Sequence, residues 1–218
     1  MIRVGIFVDS DNFSYGIKAL SPKFSLFKFD FEKFLELLSK NQNMAGFWFY
    51  TAPFKGTEEI NLKWTELLSR LDKIDGKHVN ICTRQKRTLK KEYDIRCRGC
   101  NSIVKVSGVV TCDKCKEEIY TGKRYSNKMD DVWLAVDMVM GARENKFDVA
   151  ILISGDGDMI PAVDIVQSLG KKVHLVGFRG RSAQELVAKC DSVQYMKKNV
   201  IKRYHYHPER IVKKEEKK

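Results

Sequence analysis

Short apolar runs alternate with segments of helical period along most of this chain, and that alternation narrows the fold more than any other feature. Residues 2–8 (IRVGIFV) predict a buried strand. Apolar residues recur at helical spacing from Phe29 to Lys40. MAGFWFYTA (44–52) reads as a strand that Pro53 helps to end, and residues 57–75 read as an amphipathic helix, with Thr57 as N-cap and Gly76 just past its end. HVNICT (78–83) is a third strand. The alternation resumes with a helix over 129–144, a fully buried strand over 149–155, and a helix over 158–170 that has Pro161 in its first turn and Gly170 beyond its end. KVHLVGF (172–178) is a strand, SAQELVAKC (182–190) a helix and SVQYM (192–196) a last short strand. This order predicts an α/β fold: a mainly parallel sheet with helices on both faces.

Two stretches break the pattern. One is basic, rich in cysteine and poor in helix signals. The other is a C-terminal segment dominated by Lys and Arg. The expected organisation is a discontinuous domain over 1–84 and 125–197, an insert over 85–124 with basic flanks, and a solvated basic tail over 198–218. The 218 residues are 43% hydrophobic, enough for a sizeable core. No apolar run is long enough to span a bilayer. Met1 leads into a run too short and too promptly acidic for a secretory signal, so the cytoplasm is the expected location. The net charge of +12 makes a polyanion the expected partner, nucleic acid ahead of membrane. Six cysteines in such a setting argue against a disulfide framework. Cys82 and Cys190 stand alone and read as small core residues.

Acidic residues recur at the predicted carboxyl ends of strands, where parallel α/β sheets bind ligands. Asp9 ends the first strand, and Asp156 and Asp158 follow the strand ending in Ser154. Asp130 and Asp131 open the helix that feeds this strand. Asp137 lies seven residues beyond Asp130 and so shares its helix face, while Asp131 points about 100° away. Singly, each has a plain role. Asp156 or Asp158 would cap a helix, Asp158 at the helix start being the expected partial cap and Asp156 the better metal ligand. Asp130 would favour the helix dipole, and Asp137 would be solvated or pair with Lys128. Together they predict one site. Converging carboxylates repel unless a cation is present, and Mg²⁺ or Mn²⁺ suits oxygen ligands. In a basic chain this predicts metal-assisted phosphodiester hydrolysis.

Cys97-Arg-Gly-Cys100 and Cys112-Asp-Lys-Cys115 form paired C-x2-C knuckles, the spacing that lets four thiolates bind one structural Zn²⁺. A strand-like stretch lies between them. The expected zinc ribbon leaves no open position for catalysis. Arg87, Lys90, Arg96, Arg98 and Arg124 cluster in or beside it and are expected to clamp nucleic acid.

VGIFVDSDNF resembles the opening strand of NYN domains, the LabA-like branch of the PIN-like nucleases, where a hydrophobic strand leads into D-G-x-N. KMDDVWLAVDMVM resembles that family's K-G-x-D-V-x-L-A-x-D-M, with Lys128, Asp131 and Asp137 on matching positions. SGDGDMIPAVDIVQSLGKKVHLVGF is similar to its S-G-D-S-D-F-x-P-L-V run, and LVAKCDSVQYM to its closing segment, with Asp191 in the acidic position. Ser10, Asp11 and Met129 depart from the pattern without removing a carboxylate. The resemblance implies a PIN-like Rossmannoid fold and Mg²⁺- or Mn²⁺-dependent ribonuclease chemistry, with RNA favoured over DNA. It implies an acidic site of Asp9, Asp131, Asp156 and Asp158; Asp130, Asp137 and Ser154, placed beside them in the sequence, are expected to support it. Asn12 would orient the first loop, and Lys128 would lie near the phosphate. RNA binding without turnover is the alternative within the family. Asp9-x-Asp11 with the later GDGD also resembles haloacid-dehalogenase-type phosphatases, though KMDDVWLAVDM has no role in that scheme.

Overall fold

Along the first strand, Val4, Ile6 and Val8 face one layer of apolar side chains, while Phe7 faces another. A strand buried on both faces needs partners on both edges and helices above and below. The computed structural model shows both, and describes residues 1–51, 57–81, 84–87, 92–96, 99–100, 102–107, 124–127 and 130–205. The chain opens with β1 (Arg3–Asp9), α1 (Ser10–Leu20), a 3-10 turn (Leu26–Lys28), α2 (Phe31–Leu38), β2 (Asn43–Thr51), α3 (Glu58–Leu71) and β3 (Lys77–Ile81). Four strands follow: β4 (Arg84–Arg87), β5 (Glu92–Arg96), β6 (Ile103–Ser107) and β7 (Arg124–Asn127). Then come α4 (Asp130–Arg143), β8 (Val149–Ile153), a second 3-10 turn (Gly157–Met159) and α5 (Ile160–Ser168). The described chain closes with β9 (Lys172–Gly177), α6 (Gln184–Lys189), β10 (Ser192–Tyr195) and α7 (Lys198–Arg203).

Six of these strands form one sheet in the order β10-β9-β8-β1-β2-β3. Every pairing in it is parallel. β1 is central. Ile6 lies opposite Phe47 of β2 on one side and Ile151 of β8 on the other. The chain leaves β1 towards β2, and the later strands build outward from its other edge. The strand order reverses between β1 and β8, and such a switch point is where parallel α/β sheets offer a ligand crevice, outside the carboxyl ends of the strands. One apolar layer joins Val4, Ile6 and Val8 to Phe13 and Ile17 of α1, Phe34 of α2, Leu67 of α3 and Ile201 of α7. The other joins Phe7 and Leu152 to Leu134 and Met138 of α4, Val163 of α5 and Leu186 of α6. Helices therefore cover both faces, as the alternation of strands and helices predicts.

Several local expectations change. The segment after Asp9 is a helix, α1, although Ser, Asn and Gly weaken its propensity. Tertiary packing overrides that weakness. Phe13 and Ile17 lie one turn apart and are 1% and 0% exposed. Gly16 lets the helix approach Phe178, whose ring would lie 2.1 Å from any added Cβ. The helix expected from Phe29 begins at Phe31, because Asp30 caps it by accepting from the Lys33 amide at 3.2 Å. Thr57 holds the N-cap position of α3 without a side-chain cap bond. Gly170 directly follows the cap of α5 with φ of +75°, as helix-ending glycines do, whereas α3 ends at Leu71, before the expected end at Asp75, and Gly76 (φ +66°) serves the turn into β3.

The expected tail is folded over its first residues. Val200, Ile201 and Tyr204 recur at helical spacing among the basic residues, and Ile201 is fully buried. Tyr204 packs on Phe29 and Phe34, and its carbonyl accepts from the Asp30 amide at 2.7 Å. His205 bridges to Phe29, and its Nε2 accepts from the Ser25 amide at 3.1 Å. Basic composition concealed this apolar stripe. Residues 206–218, with His207, lie outside the described residues.

The chain divides into two compact units: Met1–Thr83 with Met129–Lys218, and Arg84–Lys128. Within the second, β4 and β7 pair antiparallel from Arg84↔Asn127 to Arg87↔Arg124, so the unit's two ends meet. β5 and β6 pair antiparallel from Glu92↔Ser107 to Arg96↔Ile103. Among the described residues, no helix is long and apolar enough to cross a membrane.

Because α7 completes a core layer, Ile201→Ala is expected to cost about 2–5 kcal/mol of stability. Denaturant unfolding checks this, and a change near zero would show that the segment does not belong to the folded domain.

Candidate functional site

Asp9 ends β1 and caps α1, so strand geometry and helix capping fix one side chain from both sides. It is 5% exposed. Oδ1 accepts from the Asn12 amide at 3.0 Å, and Oδ2 accepts from Asn12 Nδ2 and from Ser154 Oγ, the latter at 3.2 Å. Asn12 lies in the first turn of α1, not in the loop expected from the sequence. Its Oδ1 accepts from the Gly155 amide at 3.3 Å, tying the end of β1 to the end of β8. Ser154 Oγ also accepts from the Asp156 amide at 3.2 Å, and Asp156 Oδ1 accepts from the Asp158 amide at 3.0 Å. One network thus links Asp9, Asn12, Ser154, Asp156 and Asp158 across the crevice.

The division of roles between the last two differs from expectation. Asp156, not Asp158, is the cap, because its extended backbone (φ −84°, ψ 125°) precedes the 3-10 turn and aims Oδ1 at that amide. Asp156 Oδ2 takes no hydrogen bond among the described residues, and Asp158 is exposed.

The first turn of α4 supplies the facing acids. Asp130 is 5% exposed, and its Oδ1 is buried without a hydrogen-bond partner. Asp131 is half-buried. Burial pushes its carboxyl up to about 7, and Asp9, Asp130, Asp156 and Asp158 all add to the rise. Burial likewise pushes Asp9 up to about 6, against the lowering effect of Asn12 and with Asp11 and Asp130 adding to it. Carboxylates from three separated segments therefore share one field at the crevice. Among the described residues, however, no three Asp, Glu, His or Cys side chains are arranged to hold a metal ion. The acids are electrostatically joined but more widely spread than direct ligation by all of them requires.

Asp137 accepts from the buried Tyr50 hydroxyl at 2.7 Å, a partner not expected from sequence. Tyr50 lies opposite Asp9 in the β1–β2 ladder, so the bond braces the same sheet edge. Ser10 Oγ and Thr51 Oγ1, at the ends of β1 and β2, are buried without partners. These two were missed because lone hydroxyls after strands give no pattern. Asp191 lies at the opposite end of the sheet. It accepts from the Val173 amide at 2.8 Å and from Gln167, and these bonds hold its carboxyl below the usual range. Cys190 is half-buried, and burial pushes its thiol up to about 11, which suits a packing role rather than a nucleophile.

Lys128, Lys90, Arg98, Cys97, Cys112 and Cys115 lie outside the described residues, as does Cys82. Arg87, Arg96 and Arg124 fall on β4, β5 and β7. Cys100 is exposed, with Sγ 2.8 Å from Ser102 Oγ.

A parallel α/β domain with helices on both faces and its strand order reversed between β1 and β8 belongs to the class of Rossmann-like folds. More narrowly, the chain belongs to the NYN domain family, within the PIN-like nuclease superfamily; the match covers residues 3–197. It is also similar in fold to a protein of unknown function from Vibrio parahaemolyticus, with 20% identity and a TM-score of 0.56 over 89% of this chain and 93% of that one. No curated protein gives a match.

The raised carboxyls set a pH signature. The folded chain holds protons at Asp9 and Asp131 that an unfolded chain releases near the ordinary value of 3.8. Stability is therefore expected to fall as pH rises from about 4 through about 7 without divalent cations. Thermal unfolding at about pH 5 and about pH 8 checks this. Added Mg²⁺ or Mn²⁺ is expected to raise the midpoint at the higher pH and change little at the lower.

Proposed function

We propose that this protein is a divalent-metal-dependent ribonuclease of the LabA-like branch, hydrolysing RNA phosphodiester bonds at the β1–β8 crevice. The observation that carries the reading is the gathering of acids from three segments around Asp131, whose carboxyl is raised first by burial and then further by Asp9, Asp130, Asp156 and Asp158. Repulsion of this kind is relieved by a cation. The donor set fits one: it consists of carboxylate and hydroxyl oxygens, and the Asp130 oxygen is buried without a partner. The spread of the acids suits a hydrated hard ion, since Mg²⁺ keeps several of its waters.

In this reading Asp9, Asp131 and Asp156 would hold Mg²⁺ or Mn²⁺, directly or through water, and Asp158 would support that site or a second ion. The bound ion would polarise a phosphoryl oxygen and supply an activated water. Asn12 and Ser154 fix the Asp9 carboxylate, so its orientation is set before any ligand arrives. Asp130 and Asp137 support the acids from α4. Lys128 is assigned to the phosphate.

The same reading gives the insert a structural Zn²⁺ held by Cys97, Cys100, Cys112 and Cys115. Support comes from their spacing and from the antiparallel β5–β6 pair, whose strands flank the first knuckle in the sequence. Arg87, Lys90, Arg96, Arg98 and Arg124 would then contact the nucleic-acid backbone.

With labelled single-stranded RNA, cleavage is expected in Mg²⁺ or Mn²⁺ and not in EDTA. Asp9→Asn and Asp156→Asn are each expected to lower the rate by about a hundredfold or more. Binding without cleavage would indicate an RNA-binding module instead. Turnover of a phosphomonoester alone would indicate a phosphatase.

The insert is tested separately. The purified protein is expected to retain stoichiometric zinc and to lose it on Cys97→Ser with Cys112→Ser. Deletion of residues 91–124 is expected to weaken RNA binding and flatten its salt dependence. Unchanged affinity and slope would remove the insert from the nucleic-acid interface.

A further inference from the structure

The carboxyl edge of the sheet continues past the acidic crevice to the ends of β9 and β10. Tyr195 ends β10 opposite Gly177, which ends β9. The guanidinium of Arg179 lies over the Tyr195 ring, 5.2 Å from its centroid. Beside this pair is an open groove of about 320 Å³, lined by Arg179, Gly180, Ser182, Gln184, Val187 and Tyr195. Arg179 and Arg181 are both exposed, and neither forms an ion pair among the described residues. Two exposed cations without ion-pair partners, one of them stacked on an aromatic ring, give this groove the charge to meet an anion.

The loop carrying these arginines is locked to the acidic turn. The Ala183 amide donates to the Gly155 carbonyl at 2.9 Å. The Arg181 carbonyl packs so closely that a Cβ on Gly155 would lie 2.5 Å from it. Ser182 Oγ accepts from the Phe178 amide at 3.3 Å and closes the loop. The groove is therefore held in register with the residue preceding Asp156. From β8 to β10 is two inter-strand steps, about 10 Å along the edge. One to two nucleotides of an extended strand span such a distance.

We infer that the Arg179–Tyr195 pair is a base-stacking subsite for single-stranded nucleic acid, seating a nucleotide one or two positions from the one at the acidic crevice. The inference rests on the nuclease reading and adds the direction of the strand: along the sheet edge from β1 and β8 towards β9 and β10. An aromatic ring backed by a guanidinium offers a flat, cationic face to any base, and Arg181 adds charge for the backbone. Such a platform is sequence-tolerant, since every base has a π-face.

Fluorescence anisotropy of the full chain in EDTA, with single-stranded RNA, tests this. Tyr195→Ala is expected to weaken binding by about tenfold, and Tyr195→Phe to bind like the wild type, because stacking needs the ring and not the hydroxyl. Arg179→Ala, a change at an exposed side chain that leaves the core intact, is also expected to weaken binding. An RNA with one abasic nucleotide one or two positions from the scissile bond should bind the wild type more weakly and Tyr195→Ala no worse than intact RNA does. In Mg²⁺, Tyr195→Ala should raise KM for the oligonucleotide with kcat little changed, whereas Asp9→Asn should lower kcat by about a hundredfold or more. If both Tyr195→Ala and Arg179→Ala bind like the wild type while Asp9→Asn slows cleavage, the subsite is wrong and the nuclease reading stands. A mononucleotide that binds as tightly as the oligonucleotide and competes at Tyr195 would overturn the strand assignment in favour of a free-nucleotide pocket. If the wild type neither binds nor cleaves RNA, both readings fall.

Discussion

A carboxylate buried at the end of the central strand governs much of this structure. Asp9 is held where water would otherwise satisfy it, so the surrounding chain must supply donors. Asn12 and Ser154 do so, one from the helix that follows β1 and one from the end of β8. Satisfying one acid thereby starts a helix, joins the two strands that flank the crevice, and sets the turn that presents Asp156. The burial that demands these donors also raises the acid's proton affinity.

Charge is distributed in two senses. The whole chain carries +12, yet Asp9, Asp130, Asp131, Asp156 and Asp158 gather at the strand-order reversal. A uniformly basic surface would attract polyanions without positioning them, and an acidic crevice alone would repel them. In the proposed reading, the surplus of Lys and Arg brings the polyanion in, and a bound cation makes the acidic crevice hospitable to it. The braces on this edge, from Tyr50 to Asp137 and from Asn12 to Gly155, keep the acids in place despite their mutual repulsion.

The parallel sheet was legible because each buried strand is a nearly continuous apolar run, and the switch point followed from where acids succeed those runs. Membership of the NYN family was legible from the order of its motifs. Other features were hidden for identifiable reasons. α1 depends on Phe13 and Ile17 meeting a core that only the folded chain supplies, so its weak propensity misled. α7 was masked by the lysines around Ile201. The cap went to Asp156 because a 3-10 turn precedes α5, and helical periodicity does not register a three-residue turn. Asp191 matched a motif position but lies at the far end of the sheet, where it serves the β9 backbone. Arg179 and Arg181 could have been noticed by the same reasoning that found Asp9, since both follow a strand's carboxyl end.

The placement of β1 has a consequence for how the protein is made. Its edge towards β8 pairs Val4 with Val149, and its layer of core is completed by Ile201. β1 therefore keeps an unpaired apolar edge until β8 has been made. Contacts so distant in sequence form slowly, and an exposed strand edge is a template for association with other chains. The central pairing of this sheet thus waits on a strand far along the chain, and the segment from β1 to β3 stays open to association meanwhile.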